Sequence, residues 1–275
     1  MNKIMFYSIK GGTGRSTILA NLAYQLYRIG YRVGLIDLDI YSSGLSLFFN
    51  IPQNAITIQD YLVDREIDLE ELIRFFSDIS NNFNIHGQHR GQLFILPSKN
   101  RIFESGLNIN LNKLMDLINF INENYNNRLD FVFYDLPGGL TSLSLHIMRN
   151  VSGDLFLFYK NNIQNFYSTI YFLNYLLNNI NIINNNINNN NKIFIVINNS
   201  HENQINNDRI EKINNLMRSL YMRNIAFENT KSIFKIPEIS SLKSNSHLIF
   251  ENNPGFEILE EFKNNFQRIY GGIKV

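Results

Sequence analysis

Strands and helices alternate along the whole of this 275-residue chain, and the alternation predicts an α/β fold. The expected form is a doubly wound, mostly parallel sheet flanked by helices, in a single domain over residues 1–275. Three observations carry that prediction. A glycine-rich loop at residues 10–14 separates a short apolar run from a helical pattern. Two further apolar runs end in aspartate, at Asp37 and at Asp135. Fully apolar runs recur near residues 93–96, 154–159 and 192–197, as strands covered on both faces require.

Composition narrows the class. A chain of this length buries a large core. The formal net charge of +1 gives no strong field toward nucleic acid or acidic partners. Cysteine is absent, which excludes disulfides and thiolate metal sites and suits a reducing compartment. The sequence opens directly on a strand with no signal peptide, and no apolar run approaches the ~20 residues of a membrane span. The expected location is the cytoplasm. Asparagine and isoleucine are abundant and tryptophan is missing, which carries no functional reading.

The first strand is read at residues 4–7. Lys10, Gly11, Gly12, Thr13 and Gly14 cannot continue it, because three of them are glycine. Residues 18–28 then read as a helix, with Ile18, Leu19, Leu22, Ala23 and Leu26 at 3–4 spacing. A glycine loop between a buried strand and a helix N-terminus is an anion site: its N–H groups close around a phosphate and the helix dipole adds positive potential. The usual phosphate-loop pattern is G-x-x-x-x-G-K-[ST]. Here Ile9 stands at the first glycine and Arg15 at the lysine, while Ser16 stands at the hydroxyl that would hold Mg2+. Arginine keeps the charge and can fork onto phosphate, but it is longer and planar, so the exchange is not conservative.

Residues 33–36 form the next strand, ending in Asp37 and Asp39. The Asp-x-Asp spacing puts both carboxylates on one side of an extended chain, at the ligand end of a parallel sheet. Residues 51–91 read as mostly helical and polar, with Ile58, Tyr61, Leu62, Leu69, Leu72, Ile73 and Phe76 inward, lying beside the sheet. Residues 81–91 read as a loop, marked by Asn81, Asn82, Gly87 and Gly91. His86 and His89 have no third ligand nearby and read as solvated loop histidines.

A strand at 93–96 closes on Pro97-Ser98, and a helix is expected at 107–125. The run ending in Asp135-Leu136-Pro137-Gly138-Gly139 is a second nucleotide-site signature. A strand-end aspartate can hold Mg2+ through water, and the glycines let a γ-phosphate sensor change conformation. A strand at 154–159 and a helix at 163–177 follow, with Phe166, Ile170, Leu173 and Leu177 inward. Residues 178–191 are nearly all asparagine and isoleucine and are expected to be a mobile loop inside the domain. A strand at 192–197 runs into Asn198-Asn199. A helix at 205–221, a short final strand at 225–227 and a last helix at 256–270, ended by Gly271-Gly272, complete the chain.

Lys10-Gly11-Gly12-x-Gly14-cation-Ser16-Thr17, Asp37-x-Asp39, Asp135 to Gly139 and Ile236-Pro237 occur in order along the chain. The ordered set resembles the ParA/MinD family of ATPases over nearly the whole length. The resemblance implies a P-loop NTPase architecture of the deviant Walker A type, with ATP and Mg2+ as cofactors and a homodimer formed on ATP binding. It implies that Lys10, the signature lysine, reaches the partner's phosphates. It gives Gly11, Gly12, Thr13, Gly14, Arg15, Ser16 and Thr17 the phosphate cradle, and Asp39 the water that attacks the γ-phosphate. Ser16, Asp37 and Asp135 take the metal, Asn198 the adenine edge, and Pro237 the loop that closes over the base. The stretch from Asp37 to Gly44 is more similar to MinD-type proteins than to plasmid ParA proteins, which carry Asp-x-Asp-Pro-Gln-Gly. Residues 239–262 follow the family outline too, with a short helix, Ile249-Phe250, Pro254 and the last helix.

Three functions follow from the resemblance. The first is partition or positioning of DNA by a slow, partner-stimulated ATPase, with an adaptor or activator protein. Its non-specific DNA surface would come from Arg209, Lys212, Arg218, Arg223, Lys231, Lys235 and Lys243. The second is a membrane-associated spatial regulator. The last helix carries Phe256, Leu259, Phe262, Phe266, Ile269 and Tyr270 with Lys263, Arg268 and Lys274 beside them. Glu257, Glu260 and Glu261 oppose that, and the fold itself calls for a last helix packed on the sheet. The third is a nucleotide-binding scaffold whose hydrolysis is weakened by Arg15.

Overall fold

In β1 (Asn2–Tyr7), Ile4 and Phe6 point to one face of the sheet, and Met5 and Tyr7 to the other. All four are buried, so both faces need helices. A computed structural model describes residues 1–49, 51–52, 54–63, 66–74, 76–79, 91–99, 109–179, 191–199, 207–222, 232–239, 248 and 255–270. In it β1 lies between β5 (Phe131–Asp135) and β6 (Asp154–Lys160), parallel to both. The other strands are β2 (Arg32–Asp37), β3 (Ser77–Asp78), β4 (Gln92–Leu96), β7 (Ile193–Asn198) and β8 (Ile233–Ile236). The order is β3-β4-β2-β5-β1-β6-β7-β8. Every described pairing is parallel except that of the edge strand β3 with β4. The expected doubly wound, mostly parallel sheet is what forms.

Helices cover both faces. α1 (Arg15–Arg28) and α8 (Gly255–Tyr270) pack on one side. The other side carries α2 (Ile58–Val63), α3 (Leu69–Arg74), α4 (Leu111–Tyr125), α5 (Ser142–Asn150), α6 (Ile163–Asn178) and α7 (Asn207–Tyr221). The α1/α8 face is aromatic. Phe6, Phe133, Phe156, Phe194 and Phe234 form a continuous layer under α8, with Phe156 and Phe194 stacked at 4.7 Å. Such pairs add about 0.5–1.5 kcal/mol each beyond the area they bury.

This layer decides the role of the last helix. Leu259, Phe262 and Phe266 are buried on it, and the Tyr270 hydroxyl donates to Asp154 Oδ2 at 2.7 Å. The apolar stripe a bilayer would need is spent on the sheet, in line with the packing that the sequence favoured over membrane attachment. Among the described residues no helix is long and apolar enough to cross a membrane.

The elements differ from expectation at identifiable places. α1 begins at Arg15, directly after the glycine loop. α4 begins at Leu111, because the Asn110 side chain accepts from the N–H groups of Asn112 and Lys113 at 3.0 and 3.3 Å. α5 and the two-residue β3 have no counterpart in the sequence reading; α5 is announced by a Thr141/Ser144 capping box. β8 occupies residues 233–236, where a loop was expected. The expected strand at 225–227, most of the 81–91 loop with His86 and His89, the core of the asparagine-rich stretch, the short helix with Ile249-Phe250 and Pro254, and Gly271-Gly272 lie outside the described residues.

Candidate functional site

The loop after β1 is shaped by two residues with left-handed backbone. Gly12 has φ of 70° and Gly14 has φ of 80°. Gly14 is also the N-cap of α1, and a Cβ there would overlap the Asn198 amide. No atom lies within 4 Å of where a Cβ on Gly11 or Gly12 would be, so the space above the loop is open. The first turn of α1 carries no acidic residue, leaving its dipole free to meet an anion. Lys10, at the mouth of the loop, is exposed.

Asn198, at the end of β7, pins this loop from the side. Its Nδ2 donates to the Thr13 carbonyl at 2.7 Å, while its Oδ1 accepts from the Asn199 N–H at 2.9 Å. The amide expected to read an adenine edge is therefore committed to the loop. Beside it a hollow of about 150 Å³ is lined by Gly12, Gly14, Thr17, Lys160, Asn198, Asn199 and Ile239. Pro237 is exposed two residues before Ile239, which supplies the apolar wall.

Beneath the loop lie three carboxylates and one guanidinium. Asp37 and Asp135 end adjacent parallel strands in register, and Asp39 follows two residues on. Arg15, the first residue of α1, is only 6% exposed and points down among them. Its Nη2 donates to Asp39 Oδ2 at 2.6 Å, its Nε to Asp135 Oδ1, and its Nη1 to Ser8 Oγ at 3.3 Å. The Ser16 hydroxyl donates to the other Asp135 oxygen at 2.5 Å. Asp37 Oδ1 accepts the Asp39 N–H at 3.2 Å, and its Oδ2 is buried with no hydrogen bond.

The electrostatics follow from burial. Burial pushes the Asp37 carboxyl well above the usual carboxylate range, and the neighbouring Asp135 adds to this. The Ser98 hydroxyl and Arg15 offset part of it, although no hydrogen bond of good geometry reaches Oδ2. Burial also raises Asp135, with Arg15 and Ser16 pulling it back. For Arg15, burial opposes the charge, but Asp135 and Asp39 outweigh it and the guanidinium is held more firmly protonated than usual.

Two turns frame the cluster. Asp39 Oδ2 also accepts from Ser42 Oγ at 2.6 Å, and the Asp39 carbonyl accepts from the Ser42 and Ser43 N–H groups at 3.2 and 2.8 Å. Buried Gln59 donates to the Ile40 carbonyl at 2.8 Å and bridges it to Lys99 at the end of β4. The Asp135–Gly139 turn is tied to β1: Leu136 N–H donates to Phe6 O at 3.0 Å, Gly139 N–H to Ser8 O at 3.1 Å, and the Tyr7 hydroxyl to Gly139 O at 2.8 Å.

The residues fit a nucleoside triphosphate: a helix N-terminus, an open glycine loop and a side hollow with an apolar wall. Ser16, Asp37 and Asp135 come together as expected: Asp135 accepts from Arg15 and Ser16, and the Ser16 oxygen keeps its lone pairs, so Ser16 and the strand-end carboxylates are the residues that would hold Mg2+. Among the described residues no group of three carboxylate or imidazole side chains is disposed to hold a metal. Sequence reasoning missed Ser8, Ser42, Gln59, Lys160, Asn199 and Ile239. Ser8 and Asn199 adjoin recognised motifs; the others carry no local signal.

Comparison with known proteins bears on the family and the fold. A ParA family model, described as NUBPL iron-transfer P-loop NTPase, matches residues 1–70. An uncharacterised ATP-binding protein of Methanocaldococcus jannaschii is 30% identical over 139 residues, 50% of this chain and 45% of that protein. An iron-sulfur cluster carrier protein of Aquifex aeolicus is 29% identical over 143 residues, 52% of this chain and 34% of that protein. The chain thus spans less than half the length of these relatives. Among solved structures, the cell division ATPase MinD of Pyrococcus furiosus has a TM-score of 0.65 at 18% identity, covering 98% of this chain and 99% of that one. The septum site-determining protein MinD of Pyrococcus horikoshii, complexed with Mg-ADP, has a TM-score of 0.59 at 18% identity, covering 100% and 99%. A pNOB8 ParA bound to nonspecific DNA has a TM-score of 0.58 at 16% identity, covering 98% and 94%. At these identities the structures establish the shared fold.

Proposed function

From a chain that belongs to the ParA/MinD family of P-loop NTPases, we propose a nucleotide-gated assembly switch. ATP lies with its phosphates over residues 11–17 and its base toward the hollow beside Asn198, Asn199 and Ile239. Two copies close face to face over two nucleotides, and the exposed Lys10 of each reaches the other's phosphates. Loss of the terminal phosphate opens the pair, at a rate set by an adaptor or activator protein. The observation that carries this reading is the loop itself: Gly12 and Gly14 both in the left-handed region, open above, at a helix N-terminus free of acids.

The task we propose is partition or positioning of DNA. The fold shared with a ParA bound to nonspecific DNA supports it. So do the cations of α7, where Arg209 stands 5.7 Å from the Phe166 ring and Lys212 5.9 Å from the Tyr167 ring. Arg218 and Lys235 are exposed; Arg223, Lys231 and Lys243 lie outside the described residues. Iron-sulfur carriage, the role named for one relative, does not transfer, because these 275 residues hold no cysteine to ligate a cluster. A specific observation also favours weak hydrolysis. Asp39, expected to orient the attacking water, is engaged by Arg15 and Ser42.

Light scattering with ATP, with ADP and without nucleotide tests the switch. A dimer with ATP alone, lost in Lys10→Ala, is the expected result. The same mass in all three conditions would refute it. DNA retention that rises with ATP and falls with salt is expected for the partition role, and no retention at low salt would remove it.

A further inference from the structure

We infer that Lys160 turns the hollow beside the glycine loop toward guanine, so that GTP binds this chain more tightly than ATP does. The inference rests on the nucleotide reading above and widens its ligand from ATP to the purine triphosphates. Alternation along β6 places Lys160. Phe156 and Phe158 face the α1/α8 layer, while Leu157 and Tyr159 face the opposite one, so Lys160 falls on the α1/α8 side. On β7 the same count through Phe194 and Val196 puts Asn198 there too. The two strands are parallel, and Lys160 is the register partner of Asn198. Ammonium and amide therefore stand at the ends of neighbouring strands, and both line the hollow.

These side chains differ in what they can read. Asn198 Nδ2 gives one N–H to the Thr13 carbonyl, and Oδ1 takes the Asn199 N–H. What Asn198 keeps is one N–H and one acceptor lone pair, which serve adenine and guanine alike. The Asn199 side chain also carries both kinds of group. Lys160 carries donors and no acceptor. Among the described residues it is the one charged side chain lining the hollow; it is exposed, and no carboxylate stands in the lining to neutralise it. Guanine presents two acceptors together on one edge, N7 and O6, whereas adenine sets the N6 amino donor beside its N7. An ammonium pairs with both guanine acceptors; on adenine it meets a donor. Ile18 and Ile239 give an apolar wall that suits either ring.

The test is a calorimetric titration of the native protein with ATP, GTP and ITP, all with Mg2+. GTP is expected to bind at least about 5-fold more tightly than ATP, the lower end for a good pair on this edge, because Lys160 is open to water. ITP keeps the N7 and O6 of guanine and lacks its 2-amino group, and is expected within about 2-fold of GTP. A smaller margin, parity or a preference for ATP would overturn the inference while leaving the nucleotide reading intact. ITP binding as ATP does would overturn it as well, because the readout would then lie on the 2-amino group. Binding of none of the three would remove that reading and this inference with it. Lys160→Met keeps the length of the stem and removes the ammonium, and is expected to bring GTP and ATP within about 2-fold of each other. A folded variant that keeps the preference, whether or not both nucleotides weaken, would also overturn the inference. The native comparison stands whether or not that variant folds.

Discussion

Replacing Arg15 by methionine removes the charge while keeping most of the side chain's volume. Asp135 is fully buried and the Asp39 side chain 8% exposed, so neither recovers its counter-charge from water. Removing one partner of a buried ion pair costs about 3–5 kcal/mol, because the charge left behind is uncompensated. At ~2.1 cal/mol/K per residue, a chain of this length unfolds with an entropy of about 0.6 kcal/mol/K, so the melting temperature should fall by about 5–9 °C. The loss depends on pH with a definite sign. Asp135 already lies above its ordinary value through burial, and Arg15 holds part of that rise back; without Arg15 it rises further. Between the unfolded value of about 3.9 and the raised folded value, the folded state binds more protons than the unfolded one. Stability therefore falls as pH rises through that window, and falls further in the variant. Thermal melts of both proteins from pH 5 to pH 8 should show a gap widest at pH 8 and narrowing toward pH 5. A shift under about 2 °C at neutral pH, or a gap that widens toward acid, would refute the buried-cluster reasoning.

Three further perturbations follow from the same geometry. Asp37→Asn removes a buried carboxylate whose Oδ2 has no partner, and should add about 1–2 kcal/mol at pH 7 in chemical denaturation. Because burial raises the folded Asp37 value, that gain should vanish below about pH 4, where the carboxyl is protonated in both states. Gly14→Ala places a side chain at φ of 80° and against the Asn198 amide, and should cost about 2–3 kcal/mol; a double-mutant cycle with Asn198→Ala should show less than additive loss. Tyr270→Phe removes the 2.7 Å donation to Asp154 and should cost about 1.5–3 kcal/mol in urea melts, since the acceptor is a carboxylate. That deficit should shrink toward acid, because Asp154 is already raised by burial and the Tyr270 bond lowers it.

What the sequence revealed is chemistry that sits within a few residues of a strand end. Lys10 to Thr17, Asp37, Asp39 and Asp135 were legible because glycine content and strand-end carboxylates are local signals. The direction of Arg15 was not. A cation after the last loop glycine can face the phosphates or the sheet, and here Asp135, distant in the chain, draws it down. Asn198 was found, but its work of holding the Thr13 carbonyl depends on a residue 185 positions away. The last helix shows the same limit. Leu259, Phe262 and Phe266 read alike as a membrane face or a core face, and the phenylalanines on β1, β5, β6, β7 and β8 settle it. β3, at two residues, is too short for any periodicity to announce.

The measurement that bears most directly on the account is a calorimetric titration of ATP into the native protein. A saturable signal at one ATP per chain, weakened in Gly14→Ala, is the expected result. No heat and no thermal stabilisation at millimolar ATP, with or without Mg2+, would contradict the claim that the turn after β1 is built to hold a triphosphate.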